Sequence, residues 1–545
     1  MKQKIYVLIS LFALLFAIAA TSCRRRDSGV VTVALPEKFT AFDTITSTNS
    51  DAAAERVKNL MFNSLVKKDE NFDYVGELAK EINTSEDGLT ITFVLRDGVK
   101  FHNGKELTSE DVKYTLDTLF NSKGYKAQAF YDSVPVEKPA AKKTAETPAN
   151  ANSAAPTETP ETKQVPHITS IEIPDAKTVV IKIARASLKT TLLSNLVTIP
   201  IIPTGSADQQ KDKPLGSGPF KFVSLDSGQN IVEMEANADY WDGQPKIKKL
   251  RLKTITDANS LQAELQTGGV DIAPNPNNIS ADTIKSLSDS PNLQVVQSEG
   301  SNIQYLILNV KTPVLDDVKI RQAIAYSIDR EKIVRDLLLG QAKVASSVLP
   351  TQSWAYTPGT QYNFDPVKAK QLLAEAGYKG EPIVFRFGAG NLAVSQYAQI
   401  LQSSMNDVGL NIRIETMDVN VLRKKLAQGD FELYTGVWIG GNQDPIFFRE
   451  LFTTAKIPGP TASCCNRGRY SNPAVDQAVD AAINSTDKEA AKALYQKAWN
   501  LVSADVPLLP LWYPANVVVA NKRVGNIHIN PSGDWGFLKD VTVAE

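Results

Sequence analysis

Cysteine and histidine are scarce in this chain, with three of each in 545 residues. His102, His167 and His528 stand far apart, and no spacing among them matches a zinc or other metal motif. No metal and no other cofactor is expected. Cys464 and Cys465 are neighbours, so no framework of bridges staples the fold. They leave three states open: two free thiols, a vicinal bridge or a link to another molecule. Net charge is lacking as well, since 59 Lys and Arg face 60 Asp and Glu to give −1. That balance excludes a general nucleic-acid binder. Beyond the first 20 residues no apolar run reaches the ~20 residues that a membrane span requires. Catalytic templates are missing too: there is no G-x-S-x-G, no H-E-x-x-H and no P-loop. Ser64-Leu-Val-Lys67 fits S-x-x-K, but neither K-T-G nor S-D-N accompanies it. With no nucleophile–base pair in view, the chain is not expected to be an enzyme.

What is present begins with a leader. Lys2 and Lys4 precede an apolar run over residues 5–20, and Ala20-Thr-Ser-Cys23 follows. A charged start, an apolar segment shorter than a span and small residues before a cysteine make a lipoprotein signal. Residues 1–22 are expected to be removed, Cys23 to be acylated and residues 23–30 to act as a tether. The body is then a soluble domain outside the cytoplasm, carried by a periplasmic or cell-surface lipoprotein. Arg24-Arg25-Arg26 reads as the solvated start of the tether.

Composition is that of a globular protein, 43% hydrophobic and 22% charged. One segment departs from it. Residues 137–166, EKPAAKKTAETPANANSAAPTETPETKQVP, contain no aromatic and almost no large apolar side chain. Such a stretch cannot bury enough surface to offset its ordering entropy, and it is expected to be a disordered surface insertion. Elsewhere the periodicities are clear. Leu89, Ile91, Phe93 and Leu95 alternate with Thr90, Thr92 and Val94 as in a strand. Thr108-Ser-Glu-Asp111 opens a helix whose Val112, Leu116, Leu119 and Phe120 share one face. Strands are expected at 303–310, 383–387, 412–415 and 432–439, and helices at 317–328, 329–339 and 394–408. This alternation gives α/β lobes. Gly388-Ala-Gly390-Asn-Leu-Ala393 resembles a dinucleotide loop, but it lies in an exported body and does not open a predicted six-strand unit. A glycine loop facing an anionic group is the reading that survives.

From residue 31 onward, ordered blocks resemble one family. They are FVLRDGVKFHNGKELTSEDV (93–112), LGSGPF (215–220), NADYW (237–241) with Pro245, and LQTGGVDIA (265–273). Then follow LILNVKTPVLDDVKIRQAIAYSIDREKIV (306–334), YSNP (470–473) with Asp476, and VPLLPLWY (506–513). Together they are similar to the peptide/nickel-type extracellular solute-binding proteins of ABC transporters. The insertion at 137–166 is not typical of them. The resemblance implies an α/β, two-lobed periplasmic-binding-protein fold of type II with an extra subdomain in the first lobe. The first lobe is expected over 31–300, with the subdomain at about 66–200. The second is expected over 301–506, and 507–545 should return to the first. A peptide or peptide-like small solute is expected in the interlobe cleft, enclosed by hinge closure and passed to a membrane permease. A monomer is expected, without nucleic acid. A non-peptide solute (a sugar, an opine-like compound or a metal chelate) or a role as a ligand sensor is the alternative. A tethered hydrolase and a folding helper or adhesion protein are rival readings.

The stretch Val437-Trp-Ile-Gly-Gly-Asn-Gln-Asp-Pro445 bears on the solute. In peptide binders of the family, a Trp on this strand is followed three positions later by an Asp that pairs with the ligand's α-ammonium. Here Trp438 is followed by Gly441. Asp444-Pro445 matches a later pair that looks structural, although Asp444, or Asp51 from the opposite lobe, remains open as an amine partner. Further contacts implied by matching positions are Ser47, Thr48 and Asn49 on the first lobe, and Thr435, Trp438, Gly440, Gly441 and Asn442 on the second. Trp354 and Asn391 are weaker matches. If Cys23 carries the lipid, Cys23→Ala should move the protein from the membrane fraction to the soluble fraction on ultracentrifugation. Retention of the variant on membranes would remove the anchor.

Overall fold

The strand Val30–Leu35, VVTVAL, is buried at every position, as a strand covered on both faces must be. It pairs in parallel with Lys249–Thr254 on one side and with Ile272–Pro274 on the other. The computed structural model describes residues 29–38, 41–48, 52–122, 124–135, 162–276, 278–389, 392–440, 443–459 and 465–544. Among them, Val30–Leu35 sits fourth in a seven-stranded sheet ordered Phe220–Asp226, Ile231–Ala236, Lys249–Thr254, Val30–Leu35, Ile272–Pro274, Asn516–Asn521, Leu293–Ser298. A second run, Ile303–Leu308, is also buried throughout and forms the heart of a six-stranded sheet. Its order is Ala342–Val344, Leu508–Pro514, Ile303–Leu308, Leu433–Trp438, Pro382–Gly388, Asn411–Met417. Each sheet carries its own hydrophobic core, and these are the two lobes of the α/β fold.

Inside the first lobe, Ala79–Thr84, Thr90–Leu95, Thr178–Ile183 and Ile168–Asp175 form a separate four-stranded sheet. Ile91, Phe93 and Leu95 point inward, as their alternation predicts. The helix Ser109–Ser122 packs on this sheet, and its buried Asp111 is held by the amides of Thr108 at 3.0 Å and Thr204 at 2.8 Å and by Lys105 at 2.6 Å. The LGSGPF turn explains itself sterically. A Cβ on Gly216 or Gly218 would come under 3.0 Å from the backbone of Met61, so the turn meets the end of the helix Ala52–Met61 backbone to backbone.

Three expectations are corrected. The strand Leu508–Pro514 belongs to the six-stranded sheet, so the return to the first lobe comes at Ala515 and not at residue 507. An apolar run buried on both faces suits either lobe, and only pairing decides between them. Second, Thr162–Pro166 at the end of the expected disordered insertion is a strand paired with Tyr131–Pro135. Backbone ladders need no apolar side chain, so composition missed it; residues 136–161 lie outside the described residues. Third, the helix expected at 329–339 is one α turn, Arg330–Lys332, followed by a π turn, Ile333–Leu337. Of the states left open for the cysteines, free thiols are removed for Cys465, which is disulfide-bonded; its partner lies outside the described residues. The leader with Cys23 also lies outside them. No helix among the described residues is long and apolar enough to cross a membrane.

The lobes are joined where Leu293–Ser298 runs on to Ile303–Leu308 and where Leu508–Pro514 runs on to Asn516–Asn521. The two crossings touch. A Cβ on Gly300 would lie under 3.0 Å from the carbonyl oxygen of Pro514. The Asn516 amide donates to the carbonyls of Asn530 at 3.0 Å and Pro531 at 3.1 Å, and the Ser301 amide to Pro531 at 3.0 Å. Gly300→Ala should therefore force these crossings apart and cost about 1–3 kcal/mol of stability, the range of overpacking. Urea unfolding measures it, and an unchanged midpoint would show that the crossings are free to separate.

Candidate functional site: the cleft between the lobes

A small polar hairpin of the first lobe reaches the second. Val66–Lys68 pairs with Tyr74–Gly76. The connecting turn is organised by Asp69, whose Oδ1 accepts from the amides of Asn71 at 2.9 Å and Asp73 at 3.0 Å. Phe72 turns the chain with φ 62° and is buried. This geometry aims three side chains across the gap. The Tyr74 hydroxyl donates to Asp444 Oδ2, the Lys68 ammonium to Gln443 Oε1 at 3.3 Å, and Lys488 pairs with Asp73 at 2.8 Å.

Asp444 is buried, and its other oxygen accepts from the Ile446 amide at 2.8 Å, closing an Asx turn that leads into the helix Phe447–Phe452. Next to it, Gln443 donates through Nε2 to Ser301 Oγ at 3.0 Å, which ties the loop to the crossing segment. Burial pushes the Lys68 ammonium below its ordinary value, and the Asp444 charge opposes that shift only in part. Burial, with the Asp444 charge added, drives the Tyr74 phenol well above its ordinary range, so it stays a donor.

Between hairpin and second lobe lies a cleft of about 570 Å³, within the size range of small-molecule sites. Tyr74, Thr84 and Lys189 line it from the first lobe, and Trp354, Asp444 and Tyr495 from the second. Trp354 meets Tyr495 edge to face at 5.9 Å, and the Lys488 ammonium lies 5.5 Å from the Trp354 ring centre. The structure thus brings Trp354 and Asp444 to one wall.

The remaining expected residues are spread more widely. Trp438 ends the strand Leu433–Trp438 and packs on Phe447 at 5.1 Å and Tyr305 at 6.1 Å. Its buried Nε1 has no hydrogen-bond partner among the described residues. Thr435 is buried inside the lobe: its hydroxyl donates to the Tyr305 carbonyl at 2.8 Å and accepts from Gln304 at 3.0 Å. Its hydrogen bonds serve the sheet. Gly440, at φ 73°, donates to Asn302 Oδ1 at 3.1 Å, and among the described residues no atom beyond its chain neighbours lies within 4 Å of where its Cβ would stand. On the first lobe Ser47 is half-buried, with its carbonyl accepting from the Tyr125 amide at 3.1 Å, and Thr48 is exposed. Asn49, Asp51, Asn391, Gly441 and Asn442 lie outside the described residues.

Behind Ser47 sits a buried charge cluster. Glu55 accepts from Lys126 at 2.6 Å, Lys58 at 3.1 Å and the Tyr125 hydroxyl at 2.7 Å, and both lysines donate to the Thr198 carbonyl. Burial would raise the Glu55 carboxyl, but Lys58 and Lys126 bring it down to about 2. Burial, reinforced by Lys58 and opposed by Glu55, lowers Lys126 to about 7. Sequence reading missed this cluster and the whole hairpin. The only signal was a run of turn formers, KKDENFDY, with no periodicity to say what it faces.

Comparison with known proteins gives a consistent picture. The family model of the bacterial extracellular solute-binding proteins, family 5 Middle, matches residues 73–459. Heme-binding protein A of Haemophilus influenzae is 28% identical, with 93% of this chain and 90% of that protein covered. The oligopeptide-binding protein AppA of Bacillus subtilis is 26% identical over 91% of this chain and 88% of that protein. The solved structure of AppA from Bacillus subtilis in complex with a nonapeptide superposes with a TM-score of 0.70, at 24% identity, covering 95% of this chain and 99% of that one.

The Tyr74–Asp444 bond should hold the lobes together. Hydrogen bonds to charged groups contribute about 1.5–3 kcal/mol. Tyr74→Phe should shift the lobes toward separation by that order, read as a larger radius of gyration in small-angle scattering of the ligand-free protein. An unchanged scattering curve would mean that the hairpin rests on the second lobe without restraining it.

Proposed function

This chain belongs to the bacterial extracellular solute-binding proteins of family 5, and from that premise we propose that it is the lipid-anchored receptor of an ABC importer. It takes a peptide or peptide-like small solute into the cleft between its lobes, closes by hinge motion and delivers the solute to a membrane permease. The observation that carries this reading is a cleft walled by both lobes of a chain whose family match spans residues 73–459. A site shared by two bodies favours the form in which they meet, and solute that touches both shifts the population toward it.

Several features support a binding role. The cleft has aromatic walls, Tyr74, Trp354 and Tyr495, that suit apolar parts of a solute, with hydroxyl groups between them. Trp438 Nε1 is a buried donor with capacity left for a solute acceptor. Gly440 stands in open space at the end of the same strand, where a main-chain group of the solute can approach closely. Ser47 and Thr48 from the first lobe, and Asn49, Gly441, Asn442 and Asn391, are proposed contacts on the strength of their matching positions. Thr435 acts from behind, by fixing the strand. The receptor works as a monomer outside the cytoplasm, and no covalent step is needed.

Native mass spectrometry of the purified protein tests the role, with extraction of whatever co-purifies. A retained small solute, displaced by added peptide, is the expected result. Recovery of no solute, together with failure of every peptide in a mixed library to bind, would sink the reading. Trp438→Phe keeps the ring packing and deletes the indole donor. It should weaken solute binding by about tenfold with little change in melting temperature, and unaltered affinity would take Trp438 out of the site.

A further inference from the structure

The buried charge cluster behind Ser47 supports two parts of the first lobe at once. On one side the turn Gly124–Lys126 carries the Ser47 loop. The Tyr125 amide donates to the Ser47 carbonyl at 3.1 Å. A Cβ on Gly124 would stand 2.9 Å from the Ile45 carbonyl oxygen and 3.0 Å from that of Ser47, so the loop lies directly on the backbone of the turn. Asp43 folds the loop from within, its carboxylate accepting from the amides of Ile45 at 2.8 Å and Thr46 at 3.0 Å. On the other side stands the helix Lys189–Val197, which lines the cleft through Lys189, Thr190 and Leu193. Its C-cap residue, Thr198, gives its carbonyl to Lys126 at 2.9 Å and to Lys58 at 3.0 Å. Ammonium groups suit the C-terminal end of a helix.

Lys126 joins the two sides. Its ammonium holds Glu55 at 2.6 Å and the Thr198 carbonyl, while its chain neighbour Tyr125 holds Ser47. The charged groups facing it are Lys58 and Glu55 from the helix Ala52–Met61 and Asp43 from the loop, and the Tyr125 ring centre lies 5.8 Å away. Burial and Lys58 bring this ammonium down to about 7, so it changes charge near neutral pH, whereas Glu55, at about 2, stays ionised. When Lys126 is neutral, its bonds to Glu55 and Thr198 lose their charge assistance, and such bonds are about half as strong.

We propose that Lys126 is a positioning residue for solute binding: protonated, it draws Glu55 and the Thr198 carbonyl onto the turn Gly124–Lys126 and so sets the Ser47 loop and the helix Lys189–Val197 where they meet solute. The proposal rests on the receptor reading above. Affinity is then high on the acid side and falls as pH rises through about 7. Stability moves the other way, because the cost of burying the ammonium is relieved as it deprotonates. At this site a falling affinity is therefore not a sign of unfolding. By reciprocity, a solute that binds the protonated form more tightly draws protons onto the protein.

The test is calorimetric titration of the mature protein in detergent with trialanine and with N-acetyltrialanine, which has no group titrating between about pH 5.5 and 8.5. Affinity should fall by about tenfold across that range, the order of one charge-assisted hydrogen bond. Binding of N-acetyltrialanine near pH 7, repeated in buffers of different ionisation enthalpy, should show proton uptake. Lys126→Met should flatten the profile at the weak, alkaline level, and Lys126→Arg, charged throughout, should hold the acid-side affinity at high pH. A flat profile in the unaltered protein overturns the proposal while leaving the receptor reading intact. So does a profile that persists in Lys126→Met with an unchanged circular-dichroism melt, or one that Lys126→Arg shares with the unaltered protein. Binding of neither peptide at any pH removes the peptide reading of the cleft and this inference with it.

Discussion

Two chain segments pass between the lobes, and where Gly300 lies against Pro514 there is no space for a side chain. Much of the molecule depends on that contact. It brings the first and last parts of the chain into one seven-stranded sheet, with Asn516–Asn521 set between Ile272–Pro274 and Leu293–Ser298. It also leaves the six-stranded sheet attached by two short crossings, with each sheet keeping its own packed core. The hairpin that meets the second lobe is joined to one of these crossings through one residue. Gln443 accepts from Lys68 on the first lobe and donates to Ser301 on the crossing itself. Hairpin and crossing are therefore parts of one connected polar structure.

That structure is stabilised by placing charge where acceptors or counter-charges already wait. Arg330 is buried with no carboxylate paired to it among the described residues, yet its guanidinium donates to the carbonyls of Ala345 at 2.7 Å, Pro510 at 2.8 Å and Tyr362 at 3.0 Å. Glu55 behind the Ser47 loop takes two lysines and a phenol. Its depressed pKa contributes stability that is present above the ordinary carboxylate range and is lost as pH falls toward about 2. Lys126 has the opposite sign. Holding its ammonium in a buried site costs stability below about pH 7, and that cost is relieved as pH rises toward 10.5. The first-lobe loop thus rests on a cluster whose net effect varies with pH.

Much of the framework was legible in the chain. Alternation at Leu89 to Leu95 and the one-sided run after Thr108 gave strand and helix where they stand, because burial on one face writes its period into the sequence. Ordered motifs gave the family. Three things were not legible, each for a physical reason. The run Leu508–Pro514 is apolar on both faces and fits the centre of either sheet. Thr162–Pro166 is held by main-chain pairing, to which side-chain composition is nearly silent. The hairpin carries three-residue strands, too short for any period, and its partner Asp444 is 370 positions away. Of the expected site, Trp354 and Asp444 meet at the cleft wall, while Thr435 turns out to serve the sheet beneath.

The role of Asp444 shows why a carboxylate beside a binding loop is a poor guide to ligand charge. Its two oxygens close an Asx turn and join the lobes, and the residue is needed for both whether or not a solute is present. A group already spending its acceptors on the protein has little left to distinguish one ligand from another.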